Sequence, residues 1–219
     1  MIKKYKDYII LLGIFLLILF SSSINRFLSM FDNNLSIDTI NNNYCEILES
    51  DYKELLKAND FKINNGLNLI MSKVYLRNIY EFKNTVMIYK GKEDGIVEGM
   101  AVISDMGLIG VVDNTLASSS EVRLITNKSS NISVKVGDNY GILKMADGVL
   151  VVSNLQTYDV INIGDKVYTS GIGNLPGDIY VGEVTKINVN ATEIEKIVEV
   201  KPGVDLDNIN YVLVVDSNV

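Results

Sequence analysis

The stretch that decides the fold is Gly91–Val112, GKEDGIVEGMAVISDMGLIGVV. It reads as turn, short linker, strand, turn, strand. Glu93-Asp94-Gly95 makes the first turn, because glycine tolerates a positive φ that other residues avoid. Ala101–Ser104 is a short β-prone run, Asp105-Met106-Gly107 reverses the chain, and Leu108–Val112 returns with Gly110 inside the strand. Glycine in a strand interior lowers stability, so it marks a sharp bend or a close backbone approach of the kind a small barrel needs. A similar pattern recurs downstream. Gly99–Ser104 lines up with Gly164–Thr169, and Ile109–Val112 with Val181–Val184.

From Gly66 onward, β-branched and aromatic runs alternate with Gly, Asn and Asp turns at short spacing. That grammar predicts an all-β region. Candidate strands fall at 69–76, 85–90, 101–104, 108–112, 122–126, 132–136, 141–145, 149–153, 166–170, 180–189, 194–200 and 211–215. Twelve short strands with an internal repeat predict two small barrels of about six strands each. The first is placed at 66–140 and the second at 141–219, with strand exchange between them left open.

Upstream of Gly66 the grammar is helical. Ser29–Asn64, within a segment bounded at 29–65, has capping candidates in Asn33, Asn34 and Ser36, and Asn64-Asn65-Gly66 stops it. Ile37, Ile40, Tyr44, Leu48 and Leu55 form one apolar stripe. A strict heptad fails, because it puts Asp51 and Glu54 in the seam. Two readings follow: an amphipathic helix lying on its own domain, or a short coiled coil that pairs two chains as a homodimer. The sequence leans to pairing, since a membrane-proximal helix has little else to cover its stripe.

Residues 1–7 are a basic tail, and residues 8–24, beginning YIILLGIFLLILF, are uncharged. That length is at the short end of the roughly 17–25 residues that a membrane helix needs. Lysines before it and few positive charges after it predict a cytoplasmic N-terminus and an extracytoplasmic remainder. A cleaved signal peptide is the competing reading.

Net charge is −7 overall and +2 over residues 1–7, which leaves −9 for the rest. An acidic remainder repels polyanions and argues against nucleic acid as a partner. Cys45 is the one cysteine, so no intrachain disulfide forms, and there is no histidine. Histidine-based triads and His-rich metal sites are thereby excluded, and no cofactor or metal is expected. Ser-Lys and paired-carboxylate chemistry remain open on composition. Asp94, Asp105, Asp165 and Asp178 are the tempting acids, but each sits within two positions of a glycine in a predicted turn, where aspartate bonds the backbone. Gly171, Gly173 and Gly177 miss the G-x-G-x-x-G spacing by one position, and no helix follows them. No catalytic residue is assigned.

Two segments carry a family resemblance. Tyr89–Val102 and the following Gly107-Leu-Ile-Gly-Val-Val112 resemble the strand, G-x-x-x-G-φ-x-x-G-M-x-V and G-L-I-G-x-V segments of the MreC rod-shape-determining family. Gly164–Gly173 resembles its G-D-x-V-x-T-S-G-φ-G. Val181–Val184, Val200-Lys-Pro202 and Tyr211–Val215 follow in place. The motif residues are Gly91, Gly95, Gly99, Gly107, Gly110, Gly164, Asp165, Gly171, Gly173 and Gly182. Departures are the short, singly prolinated Asn174–Tyr180 and the imperfect heptads. The resemblance implies a single-pass, non-enzymatic membrane scaffold of the cell-elongation complex. Its implied partners are a penicillin-binding transpeptidase, MreD, RodA and MreB. The other classes to be weighed are a membrane-anchored hydrolase with a divergent two-barrel fold and an adaptor subunit of an export system.

Overall fold

The structure is a computed structural model that describes residues 37–64, 68–78, 84–189 and 195–216. The chain divides into two units, residues 1–50 and 51–219. Helix α1, Ile37–Asn64, begins in the first and ends in the second. Among the described residues no helix is long and apolar enough to cross a membrane, and the expected span at 8–24 lies outside them.

Twelve strands follow: β1 Leu69–Asn78, β2 Thr85–Ile88, β3 Ala101–Ser104, β4 Gly107–Thr115, β5 Ser120–Leu124, β6 Asn131–Val136, β7 Asn139–Ala146, β8 Val149–Gln156, β9 Lys166–Thr169, β10 Tyr180–Val189, β11 Glu195–Pro202 and β12 Tyr211–Val215. They close into two six-stranded barrels, ordered β1-β12-β3-β4-β5-β2 and β10-β11-β8-β7-β6-β9, as the turn spacing predicts. Period-two burial drives closure. Ser120, Val122 and Leu124 of β5 point inward while Glu121 and Arg123 do not, and Ile132, Val134 and Val136 of β6 repeat the pattern.

The barrels share one cyclic order. Pairing by pairing, β3-β4-β5-β2-β1-β12 corresponds to β9-β10-β11-β8-β7-β6. The repeat visible in the sequence matches β3 to β9 and β4 to β10. Gly110 and Gly182 occupy equivalent places. A Cβ on Gly110 would strike the Arg123 carbonyl, 2.9 Å from its carbon, and one on Gly182 would strike that of Lys201, also 2.9 Å from its carbon. Both are interior strand glycines because the neighbouring backbone fills the space a side chain needs.

The strands divide differently from the expected 66–140 and 141–219. β6 belongs to the second barrel, where β7 and β9 flank it, and β12 returns to the first. The chain crosses at 125–130, and the second barrel, 131–202, is an insertion between β5 and β12. The reason is hydrogen bonding. β12 satisfies one edge of β1, Leu69 opposite Val215, and one edge of β3, Leu213 opposite Ile103, which would otherwise be open.

From Asp51 onward α1 lies against the first barrel. Asp51, Glu54, Leu55 and Ala58 have the i, i+3, i+4, i+7 spacing of one face, and Ala58 is buried. Glu54 accepts from the Asn210 and Tyr211 amides at 3.0 and 3.1 Å and from Asn210 Nδ2 at 2.9 Å. Lys73 of β1 donates to Asp51 at 3.0 Å and lies 5.5 Å from the Tyr211 ring centroid. That hydrogen bond to Asp51 holds the Lys73 ammonium above its ordinary pKa of 10.5. Glu54→Ala leaves the Asn210 and Tyr211 amides without their acceptor. We expect a loss of about 1–2 kcal/mol, with hydrogen exchange accelerated at Asn210 and Tyr211. Unchanged protection at both would show that the carboxylate is not holding them.

Candidate interaction site

The barrels meet at Tyr180, the first residue of β10. It packs where Gly107 and Gly203 leave room: a Cβ on Gly107 would lie 3.2 Å from its ring Cδ1, and one on Gly203 would lie 3.0 Å from the same atom. Burial, followed by the charge on Glu183, lifts the Tyr180 phenol above its usual 10.0. Gly203 N donates to Val181 O at 2.9 Å. The crossing segment is tied as well. Ser130 Oγ donates to Leu124 O at 2.8 Å, and Asn127 Oδ1 accepts from the amide and hydroxyl of Ser129 at 2.9 and 2.7 Å.

Two separate clefts open at this junction. One, of about 600 Å³, is lined by Arg77, Met145, Lys201, Asp205 and Asp207 among others, so its charges balance. Arg77 Nη1 donates to Asp207 O at 2.7 Å. Asp205 is held below its ordinary pKa by Asn208 Nδ2 and the Asp207 amide. The other, of about 510 Å³, runs between Glu98-Gly99, the outward faces of β4 and β5, the start of β6, and the loop Ile172–Leu175. Arg123 Nη1 pairs with Asp113 Oδ1 at 3.1 Å, and Arg123 Nε is buried with no partner. Glu98 and Asn174 have no partner among the described residues, and Ile172 is 61% exposed.

Gly99 and Gly173 both line this second cleft. They come from the two segments that carry the family motifs, 74 positions apart in the chain. The other motif residues shape turns and strands elsewhere. Gly91 opens the 3₁₀ turn Lys92–Asp94, and Gly95 closes it at φ 87°. Gly107 sits at the barrel contact, Gly110 and Gly182 at the strand approaches, Gly164 and Asp165 in the turn before β9, and Gly171 in the loop after it.

Three of the four tempting aspartates bond their own surroundings. Asp94 accepts from the Gly91 amide at 3.0 Å and from Lys90 at 2.5 Å. Asp165 accepts from the Asn162 amide at 2.7 Å, Asp178 pairs with Lys135 at 2.5 Å, and Asp105 is exposed in the β3–β4 turn. Among the described residues no group of three or more Cys, Asp or Glu is placed to hold a metal ion.

Lys90, followed by the Gly91 amide, holds the Asp94 carboxyl below its usual 3.8. A lowered folded pKa means that this contribution is complete above the unfolded value. It is lost as pH falls below 3.8 toward the lower folded value. In an acid titration we expect the Gly91 amide resonance to shift below the ordinary carboxylate range, and Asp94→Asn to abolish that step. A step at or above pH 3.8 would contradict the sign.

The apolar stripe of α1 is only partly in view. Leu48 is exposed at 52% and Leu55 is half-buried, whereas the side chains of Ile37, Ile40 and Tyr44 lie outside the described residues. The exposed apolar residues that the stripe leaves out are Ile47, Tyr52 and Leu56. An i, i+4, i+8 count from Leu48 finds Tyr52 and Leu56.

Fold and junction together define a class: helix-led double β-barrel proteins with a cleft between the barrels. The chain belongs to the MreC family, whose barrel-core model, "Rod shape-determining protein MreC", matches residues 74–216. The cell shape-determining protein MreC of Listeria monocytogenes is 31% identical over 185 residues, 76% of this chain and 62% of that protein. The chain therefore spans less than two thirds of that relative's length. A solved L. monocytogenes MreC superposes with a TM-score of 0.65 at 28% identity, covering 84% of this chain and 96% of that one. The Helicobacter pylori MreC solved in complex with penicillin-binding protein PBP2 has a TM-score of 0.56 at 21% identity. It covers 69% of this chain and all of that one, a likeness of fold.

Proposed function

We propose that the chain is a membrane-anchored scaffold of the cell-elongation complex that organises peptidoglycan-synthesising penicillin-binding proteins. Membership of the MreC family carries this reading. The H. pylori complex supports a penicillin-binding protein as partner. On this reading residues 1–7 are cytoplasmic, 8–24 anchor the chain, 29–65 link it to the barrels, and both barrels lie outside the membrane. MreD, RodA and MreB are further partners that the family resemblance implies. The scaffold works by binding rather than by catalysis.

The test is depletion in the native host combined with affinity capture of the ectodomain's partners. Altered cell width and recovery of an elongation transpeptidase are expected. Unchanged shape together with no transpeptidase would overturn the scaffold. Homodimerisation through α1 is part of the same proposal, and it centres on the exposed Leu48, Tyr52 and Leu56. Leu48→Lys with Tyr52→Lys is expected to halve the mass of the detergent-solubilised protein by light scattering. An unchanged mass would remove the helix from the interface.

A further inference from the structure

We propose that the cleft bounded by Glu98, Arg123 and the Ile172–Leu175 loop receives an extended segment of a partner protein that carries a lysine or arginine beside an apolar side chain. This deepens the scaffold reading and rests on it, because it names where a penicillin-binding protein would be held.

Charge selects the chemistry. Glu98 and Asp113 line the cleft against Arg123, two acids to one base. Asp113 is paired with Arg123, and Glu98 has no partner among the described residues, so the uncompensated charge is negative. An anionic segment would meet repulsion, and a cation would gain Glu98. The other cleft at the junction has two bases against two acids and selects neither sign.

The open valences fit a backbone in extended form. Arg123 Nε is a buried donor without an acceptor, and buried donors of that kind normally find a partner. Asn174 adds an unpaired carboxamide on the opposite barrel. Extended chain presents carbonyl and amide groups to such a pair of walls and alternates its side chains between them. The apolar side chain would cover Ile172, which stands out on a loop whose glycines at 171 and 173 have φ of 75° and 99°. A volume near 510 Å³ accommodates a few residues, within the roughly 300–1,000 Å³ of ordinary ligand sites.

The two walls belong to different barrels, so a segment seated here reads their mutual placement. The Tyr180 contact fixes that placement. The glycines of the two family motifs shape its walls by conformation, Gly99 and Gly173 having φ of 89° and 99°.

The experiment is site-specific photo-crosslinking with the full chain in its host membrane. The photoreactive residue is placed at Asn131 in the cleft wall and, separately, at Tyr158 in the loop between β8 and β9. Captured peptides are then identified by mass spectrometry. Capture of a penicillin-binding protein from Asn131 is expected, through a peptide with Lys or Arg within two positions of an apolar residue. Glu98→Lys should reduce that yield about tenfold or more, and an acidic substitution at the partner's captured cation should restore it. Ile172→Asp should reduce it independently, and both variants should keep the wild-type melting temperature. The cleft is overturned if both leave the yield unchanged, or if the captured peptide lacks a cation. It is equally overturned if Asn131 captures residues 79–83 or another part of its own chain, or if the transpeptidase is captured from Tyr158 alone. These outcomes leave the scaffold standing. If the wild-type chain captures no penicillin-binding protein from either position, the scaffold reading falls with the cleft.

Discussion

Gly110→Val and Gly182→Val should each open one barrel and leave the other closed. The backbone of the adjacent strand occupies the position a Cβ would take in both cases, so no rotamer relieves the clash. Overpacked cores lose about 1–3 kcal/mol where side chains can give way. Here the obstacle is a strand carbonyl, and a loss of at least about 3 kcal/mol is expected. For a chain of this size that lowers the melting temperature by roughly 6–12 °C. Hydrogen exchange should localise the damage: Val86, Val122 and Leu213 lose protection in Gly110→Val, and Val134, Val152 and Val198 in Gly182→Val. Gly137→Ala is the control. Its φ is 59° but a Cβ there meets nothing within 4 Å, so only backbone strain of about 1 kcal/mol is expected. Equal losses in all three variants would refute the close-approach account.

Ending the chain after Ile209 should have the larger effect. It removes β12, whose Val212, Leu213, Val214 and Val215 are all buried. At roughly 1.5–3 kcal/mol per buried side chain the loss is about 6–12 kcal/mol, comparable with the whole stability of a domain. β1 and β3 would then expose unpaired edges that recruit other chains. The first barrel is expected to unfold and aggregate. The second, 131–202, keeps all six of its strands, so its amides should stay protected in the soluble fraction. Uniform loss of protection would show that the inserted barrel depends on its host. Intact protection at Val86 and Ile88 would refute the closure by β12.

What the sequence made legible follows from range. Turns and hairpins are local, so Gly91–Val112 and its downstream copy announced β3-β4 and β9-β10 correctly. The partner of β12 is not local. Tyr-Val-Leu-Val-Val pairs with any open edge, and nothing within it says that β1 and β3 supply the edges. The helix shows the converse. Asp51 and Glu54 looked like breaks in a heptad, because a seam rejects charge. They are the residues that bond α1 to Lys73, Asn210 and Tyr211. The cleft was half legible: Gly99 and Gly173 stood out as motif glycines, but Glu98 and Asn174 beside them carry no pattern of their own. Their significance arises only when two barrels bring them face to face.

The clasp between α1 and the first barrel also has a mechanical side. The helix grips two neighbouring strands, β1 through Asp51 and β12 through Glu54, well before the chain reaches the connection into β1. A pull on the helical segment from Asp51 onward therefore meets four side-chain hydrogen bonds, divided between β1 and the start of β12, before it reaches the first residue of β1.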